Sequence, residues 1–240
     1  MTRVLLATRN AKKLVELRRI VAAAGLDGIE ILGLADVDEF PEAPETGATF
    51  AENALAKARD AALATGLPAI ADDSGITVDA LNGMPGIFSA RWAGKHGDDE
   101  ANLRLLLAQT EDVPDERRGA AFVCAAALVT PGGAVAPVTP GGAAAPVTPD
   151  GVVAPVTPDG AAAPVTPDGA GAPGRIVVHG TWRGTLLRAP RGENGFGYDP
   201  IFAPEGDRRS SAELSAQEKD AASHRGLALR ALVPHLRAAT

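Results

Sequence analysis

A single cysteine, Cys124, stands in a chain of 240 residues. It cannot pair within the chain, which points to a reducing, cytoplasmic compartment. With that one thiol and only four scattered histidines, a structural zinc site is not expected. Long apolar runs are missing too. The longest, Ala120–Val129, is strand-sized and far short of the roughly 18 residues of a membrane span, so no membrane partner is expected. The first ten residues show no secretory pattern. Positive charge is in short supply: 23 Lys and Arg against 30 Asp and Glu leave a net charge of −7, which argues against a nucleic-acid partner. Gly-x-Ser-x-Gly is absent, as is a Walker A loop with its Lys-(Ser/Thr) ending.

An apolar content of 45% is enough for a real core. One stretch contributes little to it. Val-Thr-Pro-(Gly/Asp)-Gly starts at Val129, Val138, Val147, Val156 and Val165, a nine-residue period. Of the 44 residues Pro131–Gly174, 19 are Pro or Gly, and no bulky apolar face offsets the entropy of ordering them. The expectation is a flexible insertion, with a stacked β-turn solenoid as the alternative. Ala120–Val129 before it and Arg175–Thr181 after it read as strands, so 131–174 is an overgrown hairpin loop, an inexpensive place for length. The other 196 residues suit one α/β domain, and the whole chain 1–240 reads as a single domain carrying that insertion.

The first half alternates. Arg3–Ala7 is a strand. Asn10 caps a helix over Ala11–Ala24, with Leu14, Leu17 and Val21 on one face and Gly25 at its end. Glu30–Leu34 is a second strand and Phe40–Gly47 a loop. Thr49 and Glu52 form a capping box for a helix over Phe50–Thr65. Leu67–Ala71 is a third strand that opens onto Asp72-Asp73-Ser74-Gly75. Asp99–Gln109 is helical. A strand pair, a glycine-rich loop and a C-terminal helical region follow, with Ser215 and Glu218 as a second capping box. This order predicts an α/β fold with a mixed central sheet flanked by helices.

Several constellations can carry chemistry. Thr8-Arg9-Asn10-Ala11-Lys12-Lys13 joins a strand to a helix N-terminus, where amides and lysines suit a phosphate; the alternative is a polar cap with surface lysines. Asp72 and Asp73 sit where an apolar strand ends. Paired acids there repel unless a cation resolves them, and Mg²⁺ on a phosphate does so; the alternative is an Asx turn. Glu45 lies in the acidic loop Glu42–Gly47, by itself only a solvated loop. Lys57 either lies on the surface or reaches a phosphate as a point charge. In Gly195-Phe196-Gly197-Tyr198-Asp199, the flanking glycines let a ligand approach and Phe196 either stacks on a base or packs into the core. Lys219 and the Ser223-His224-Arg225 triplet offer donors to a carbonyl such as a purine O6, or form a surface group.

Taken in order, these motifs, together with Glu45-Thr46-Gly47-Ala48-Thr49-Phe50 and Pro85-Gly86-Ile87-Phe88-Ser89-Ala90-Arg91, resemble the RdgB-type inosine/xanthosine triphosphate pyrophosphatase family over nearly the whole chain except 131–174. The resemblance implies a homodimeric, Mg²⁺-dependent enzyme that hydrolyses ITP, dITP and XTP to the monophosphate and pyrophosphate, cleansing the nucleotide pool. It implies that Asp73 is the catalytic acid and a metal ligand, with Glu45 the second. It assigns Thr8, Arg9, Asn10, Ala11, Lys12 and Lys13 to the triphosphate loop. Ser74 and Lys57 become substrate contacts, Phe196 the stacking residue. Gly197, Tyr198, Asp199, Lys219, His224 and Arg225 surround the base.

Two departures stand out. Arg9 occupies a position where glycine is common in the family, and Lys12 one where a small residue is usual. The charge logic holds without the family. A triphosphate carries about four negative charges, which Lys13, Lys57 and a divalent cation offset. A 6-oxo purine accepts from His224 and Arg225, whereas adenine leaves those donors unpaired. Two other readings follow from the same residues. One is a non-catalytic nucleotide-binding regulator, suggested by the extra cations of the phosphate loop. The other is an interaction scaffold built on the repeats.

Overall fold

The computed structural model describes residues 1–41, 44–134 and 174–238. In it β1 (Thr2–Leu6) runs into α1 (Ala11–Ala23), and the Asn10 side chain accepts from the Lys12 amide at 3.0 Å, capping the helix as expected. Gly25, at φ +65°, turns the chain out of α1. β2 (Ile29–Leu32) pairs parallel with β1. It stops two residues before Leu34 because Asp36 Oδ2 accepts from the Gly33 amide at 2.8 Å and closes a tight turn.

α2 (Phe50–Thr65) is capped by Thr49, whose Oγ1 accepts from the Glu52 amide at 3.1 Å. The reciprocal half of the box is displaced by one residue: the Glu52 carboxylate accepts from Ala48, not from Thr49. α3 (Asp99–Gln109) follows prediction, and Asp98 is its cap. Beyond the single turn α4 (Pro131–Ala134), α5 (Ala216–Ala222) carries the complete Ser215/Glu218 capping box and α6 (His224–Ala238) ends the chain's described part.

β3 spans Ala69–Val78, well past the expected end at Ala71. It pairs antiparallel with β4 (Gly119–Val129) along its whole length, from Ala69↔Val129 to Val78↔Ala120. That continuous ladder overrides the weak strand propensity of Asp-Asp-Ser-Gly. β4 pairs antiparallel with β5 (Arg175–Leu186), also longer than expected, and β5 with β6 (Phe202–Pro204). The sheet order is β2-β1-β3-β4-β5-β6, parallel on one side and antiparallel on the other. The predicted mixed α/β architecture is therefore the observed one.

Helices cover both faces. α1 and α6 pack on one, over Val4, Leu6, Ile70, Ala126 and Leu128. α2 packs on the other through Ala54, Ala58, Ala61 and Ala62, against Ala69, Ala71, Ala125 and Ala127. Alanine on both partners brings helix and sheet close. A third cluster at the far end of the sheet holds Phe122, Trp182 and Phe202, with the Phe122 and Phe202 rings edge to face at 4.7 Å. Gly180 of β5 is where α6 begins: a Cβ there would lie 2.0 Å from the His224 carbonyl oxygen.

Val129 pairs with Arg175, and the Thr130 amide donates to Gly174 O at 2.9 Å. The repeat segment thus leaves and rejoins the sheet at one hairpin end. Its first copy, Val129–Gly133, covers the strand end and α4. Of the expected flexible insertion 131–174, residues 131–134 form the turn α4, and 135–173 lie outside the described residues. Among the described residues, no helix is long and apolar enough to cross a membrane.

Candidate active site

The site forms where β1 stops. β1 meets β3 only at Leu5↔Ala69 and Leu6↔Ile70, so on that side β3 has no strand partner from Ala71 until Thr77, which makes an isolated bridge to Pro85. The Thr8–Asn10 turn fills the gap, with Ala7 N donating to Ile70 O at 2.8 Å. Because successive residues of a strand face opposite ways, Asp72 and Asp73 point to different faces. Asp72 meets α1 and α6. Asp73 meets α2. The Asx-turn alternative is excluded, since both residues are in strand.

On the α2 face, Asp73 Oδ2 accepts from Asn53 Nδ2 at 3.0 Å and Oδ1 from Lys57 Nζ at 3.1 Å. The same ammonium donates to Glu45 Oε1 at 2.5 Å, and Glu45 Oε2 accepts from Arg91 Nη1 at 2.9 Å. Lys57 is therefore no surface lysine; it sits between two carboxylates. A cleft of about 600 Å³ opens here, lined among others by Thr8, Arg9, Asn10, Lys13, Lys57 and Arg91. Glu45 and Asp72 also line it, while Asp73 borders it through Lys57. Glu42 and Ala43 of the same loop lie outside the described residues.

On the other face, Asp72 Oδ2 accepts from Lys13 Nζ at 2.7 Å and from Arg225 Nε at 3.3 Å. Arg225 Nη2 also donates to Ser74 Oγ at 3.1 Å. A second cavity, about 530 Å³, begins at Ser74 and Arg225 and extends over Phe196. Phe196 is 42% exposed, so it does not pack into the core; Tyr198 does, with its hydroxyl donating to Ser89 O at 2.8 Å. Phe196 is held from its backbone: its amide donates to Asp199 Oδ2 at 2.8 Å, and the Gly197 amide to Asp99 Oδ2 at 2.9 Å. Gly195 at φ +85° and Gly197 at φ +61° permit this path. Asp199 also pairs with Lys219 and accepts from Ser211 Oγ at 2.8 Å. Three cationic heads surround the ring face: Lys219 at 5.7 Å, Arg225 at 5.8 Å and Lys12 at 5.9 Å.

Electrostatics separates the acids. Burial alone would raise Asp72, but Lys13 and Arg225 together hold it far below the ordinary carboxylate range. Burial dominates at Asp73 and raises it despite Lys57 and Asn53. Glu45 is also pushed up by burial, yet Lys57 and Arg91 outweigh this and its net shift is downward. His224 is buried and pushed well down by burial, with Arg225 and Lys219 adding to the effect, so it is neutral. Its ring stacks on Phe122 at 4.9 Å, and its buried Nδ1 has no hydrogen-bond partner. His224 and Arg225 are therefore not a surface pair.

Of the residues singled out in sequence, Thr8, Arg9, Asn10, Lys13, Glu45 and Lys57 meet at one cavity. Lys12, Ser74, Phe196, Gly197, Tyr198 and Asp199 meet at the other, together with Lys219, His224 and Arg225. Ala11 lines neither, and Asp73 lies behind Lys57 without lining either cavity itself. Lys12 departs from its expected place in the triphosphate loop, because adjacent helix residues diverge by about 100°. Sequence reasoning gave no role to Arg91, Asn53, Asp99 or Glu16. Glu16 was detectable: Lys12, Glu16 and Arg19 are spaced i, i+4, i+7, one face of α1, and all three line the base-side cavity.

The donor set suits a hard divalent cation. Glu45 and Asp73 present oxygen ligands around one cationic centre, and an ion that keeps several waters and takes phosphate oxygens needs only one or two carboxylates. Among the described residues there is no cluster of three or more His, Cys, Asp or Glu that would make a closed metal cage.

The sequence profile of the Ham1 family matches residues 4–144 and 161–235. The chain belongs to the Ham1 family. The Ham1 match leaves out only 145–160 inside the repeat segment, so part of 131–174 lies within the family pattern rather than outside it. A dITP/XTP pyrophosphatase of Nocardia farcinica is 56% identical over 238 residues, covering 99% of this chain and 96% of that protein. One from Mycobacterium tuberculosis is 52% identical over 236 residues, covering 98% and 96%. Among solved Ham1 structures, the nucleoside-triphosphatase / dITP/XTP pyrophosphatase of Mycobacterium abscessus superposes with a TM-score of 0.68 at 49% identity, covering 97% of this chain and 100% of that one. The HAM1 protein of Coxiella burnetii gives 0.75 at 37% identity, covering 99% and 100%.

Proposed function

We propose that this chain hydrolyses non-standard purine nucleoside triphosphates (dITP, ITP and XTP) to the monophosphate and pyrophosphate. The observation that carries this reading is the Asp72 carboxylate, which accepts from Lys13 of the phosphate-side cavity and Arg225 of the base-side cavity. One ligand with an anionic tail and a planar, carbonyl-bearing head spans the two. Relatives bearing the name dITP/XTP pyrophosphatase at 50–56% identity support it.

Lys13, Lys57 and the amides at the start of α1 bind the phosphate oxygens. Glu45 and Asp73 hold a divalent cation, which we take to be Mg²⁺; when bound it offsets phosphate charge that two lysines cannot neutralise alone. Asp73 accepts a proton from the attacking water. Water adds at the α-phosphorus, the α–β bridging bond breaks, and pyrophosphate departs with the bridging oxygen. Phe196 supports the base, Arg225 donates to a 6-oxo group, and adenine offers no acceptor there. The protein acts as a cytoplasmic homodimer in this reading; half-exposed Met84 and Phe88, beside the turn at Pro85, support self-association, which sedimentation measures.

Pyrophosphate release from ITP, dITP, XTP, GTP and ATP, with and without Mg²⁺, tests the reading. Metal-dependent release from the first three, far above GTP and ATP, is expected. Saturable ITP binding with no pyrophosphate released replaces it with a regulatory nucleotide-binding role.

A further inference from the structure

Four cations line the base-side cavity: Lys12, Arg19, Lys219 and Arg225. Three are neutralised. Arg19 pairs with Asp220 at 2.5 Å, Lys219 with Asp199, and Arg225 with Asp72. Among the described residues, Lys12 has no carboxylate within ion-pair distance; its ammonium stands over Phe196, 5.9 Å from the ring centre. It also faces this cavity and not the one lined by Lys13. An uncompensated ammonium beside a base-stacking ring has three donors and no acceptor.

We propose that Lys12 is a specificity-determining residue that reads position 2 of the purine. This rests on the function proposed above. Hypoxanthine, xanthine and guanine share the 6-oxo group that Arg225 addresses, so contacts at position 6 do not separate them. They differ at position 2. Xanthine carries a carbonyl, which accepts from Lys12. Hypoxanthine carries only hydrogen. Guanine carries an amino group whose donors meet the ammonium's own, leaving both unpaired and like partial charges opposed. Lys12 thereby favours XTP over ITP and excludes GTP, a rejection that the 6-oxo contacts cannot provide. Lys12 is exposed at the first turn of α1, so its replacement does not disturb the core.

The test is kcat/KM for XTP, ITP and GTP on wild type, K12M, K12Q and K12R, read as ratios. K12M is expected to lower the XTP/ITP ratio about tenfold, the scale of one charge-assisted hydrogen bond, and to raise GTP/ITP. K12Q, which can accept as well as donate, raises GTP/ITP further. K12R, still a donor-only cation, keeps both ratios near wild type. A uniform loss in K12M with unchanged ratios overturns the proposal and assigns Lys12 to the phosphates. If the wild type releases no pyrophosphate, the functional reading fails on its own. Calorimetric binding of XMP and IMP to wild type and K12M then decides the Lys12 reading separately: equal XMP/IMP ratios in both proteins overturn it.

Discussion

Asp72 and Asp73 are consecutive residues of β3, yet among the described residues they share no hydrogen-bond or ion-pair partner. Asp72 meets Lys13 and Arg225, and Asp73 meets Asn53 and Lys57. The strand's two-residue period places one acid under each helical layer and gives them different work. Asp72 is the anchor between phosphate and base recognition. Asp73 faces the Glu45–Lys57 pair.

Asp73→Asn keeps the side-chain volume and the Asn53 contact but removes the proton acceptor. ITP turnover should fall about 10²- to 10⁴-fold with the fold intact. Circular dichroism and pyrophosphate release check this together. Near-normal turnover in a folded variant removes Asp73 from its assigned role.

Asp72→Ala leaves Lys13 and Arg225 without their shared buried partner. The loss of stability should be about 3–5 kcal/mol, as for breaking a buried ion pair from one side. Urea denaturation measures it. A loss under about 1 kcal/mol means that water enters and solvates the two cations.

Acid should destabilise the protein through His224. Its pKa is lowered in the fold by burial, from an ordinary 6.5. Below that pH the unfolded chain takes up a proton that the native state resists, so stability falls as pH drops, by up to ~1.4 kcal/mol per unit. His179 shifts the same way and is common to both proteins compared. Between about pH 7.5 and 5.5, wild type should lose more stability than His224→Asn, measured by denaturation at each pH. Parallel curves would show that His224 titrates normally.

Phe196→Ala should raise KM for ITP about tenfold or more, since stacking one base contributes roughly 1–3 kcal/mol. Phe196→Trp should largely preserve KM. As Phe196 is 42% exposed, Tm should barely move. An unchanged KM in the alanine variant would place the base elsewhere.

Replacing residues 135–173 with a short Gly-Ser linker should leave kcat/KM for ITP within about threefold, because Thr130 and Gly174 are already hydrogen-bonded at the hairpin end. A severe loss would show that the repeats take part in catalysis or assembly.

Helix ends were legible where side chains bond their own neighbours: Asn10, Thr49 and Ser215 all cap as their local sequences imply. The end of β3 was not. Asp-Asp-Ser-Gly is turn-like by itself, and only pairing with β4 keeps it extended. Phe196 and Tyr198 illustrate the same divide. Both lie in one glycine-rich loop, and nothing local says that the tyrosine is buried and the phenylalanine exposed. The carbonyl of Ser89, 109 residues away, decides it.

The order of motifs along the chain determined the family, the α/β class and which residue types serve a polyphosphate and a purine, because caps, periodicity and charge are properties of short segments. Tertiary structure alone decided that separate cavities stand on the two sides of α1 that Lys12 and Lys13 face, that Asp-Asp-Ser-Gly stays extended so that neighbouring aspartates serve opposite faces, and that Arg91 and Asp99 take part at all. Those outcomes depend on where β1 stops beside a longer β3 and on contacts between residues tens of positions apart. Side-chain direction at such places follows from pairing and packing, which no local stretch contains.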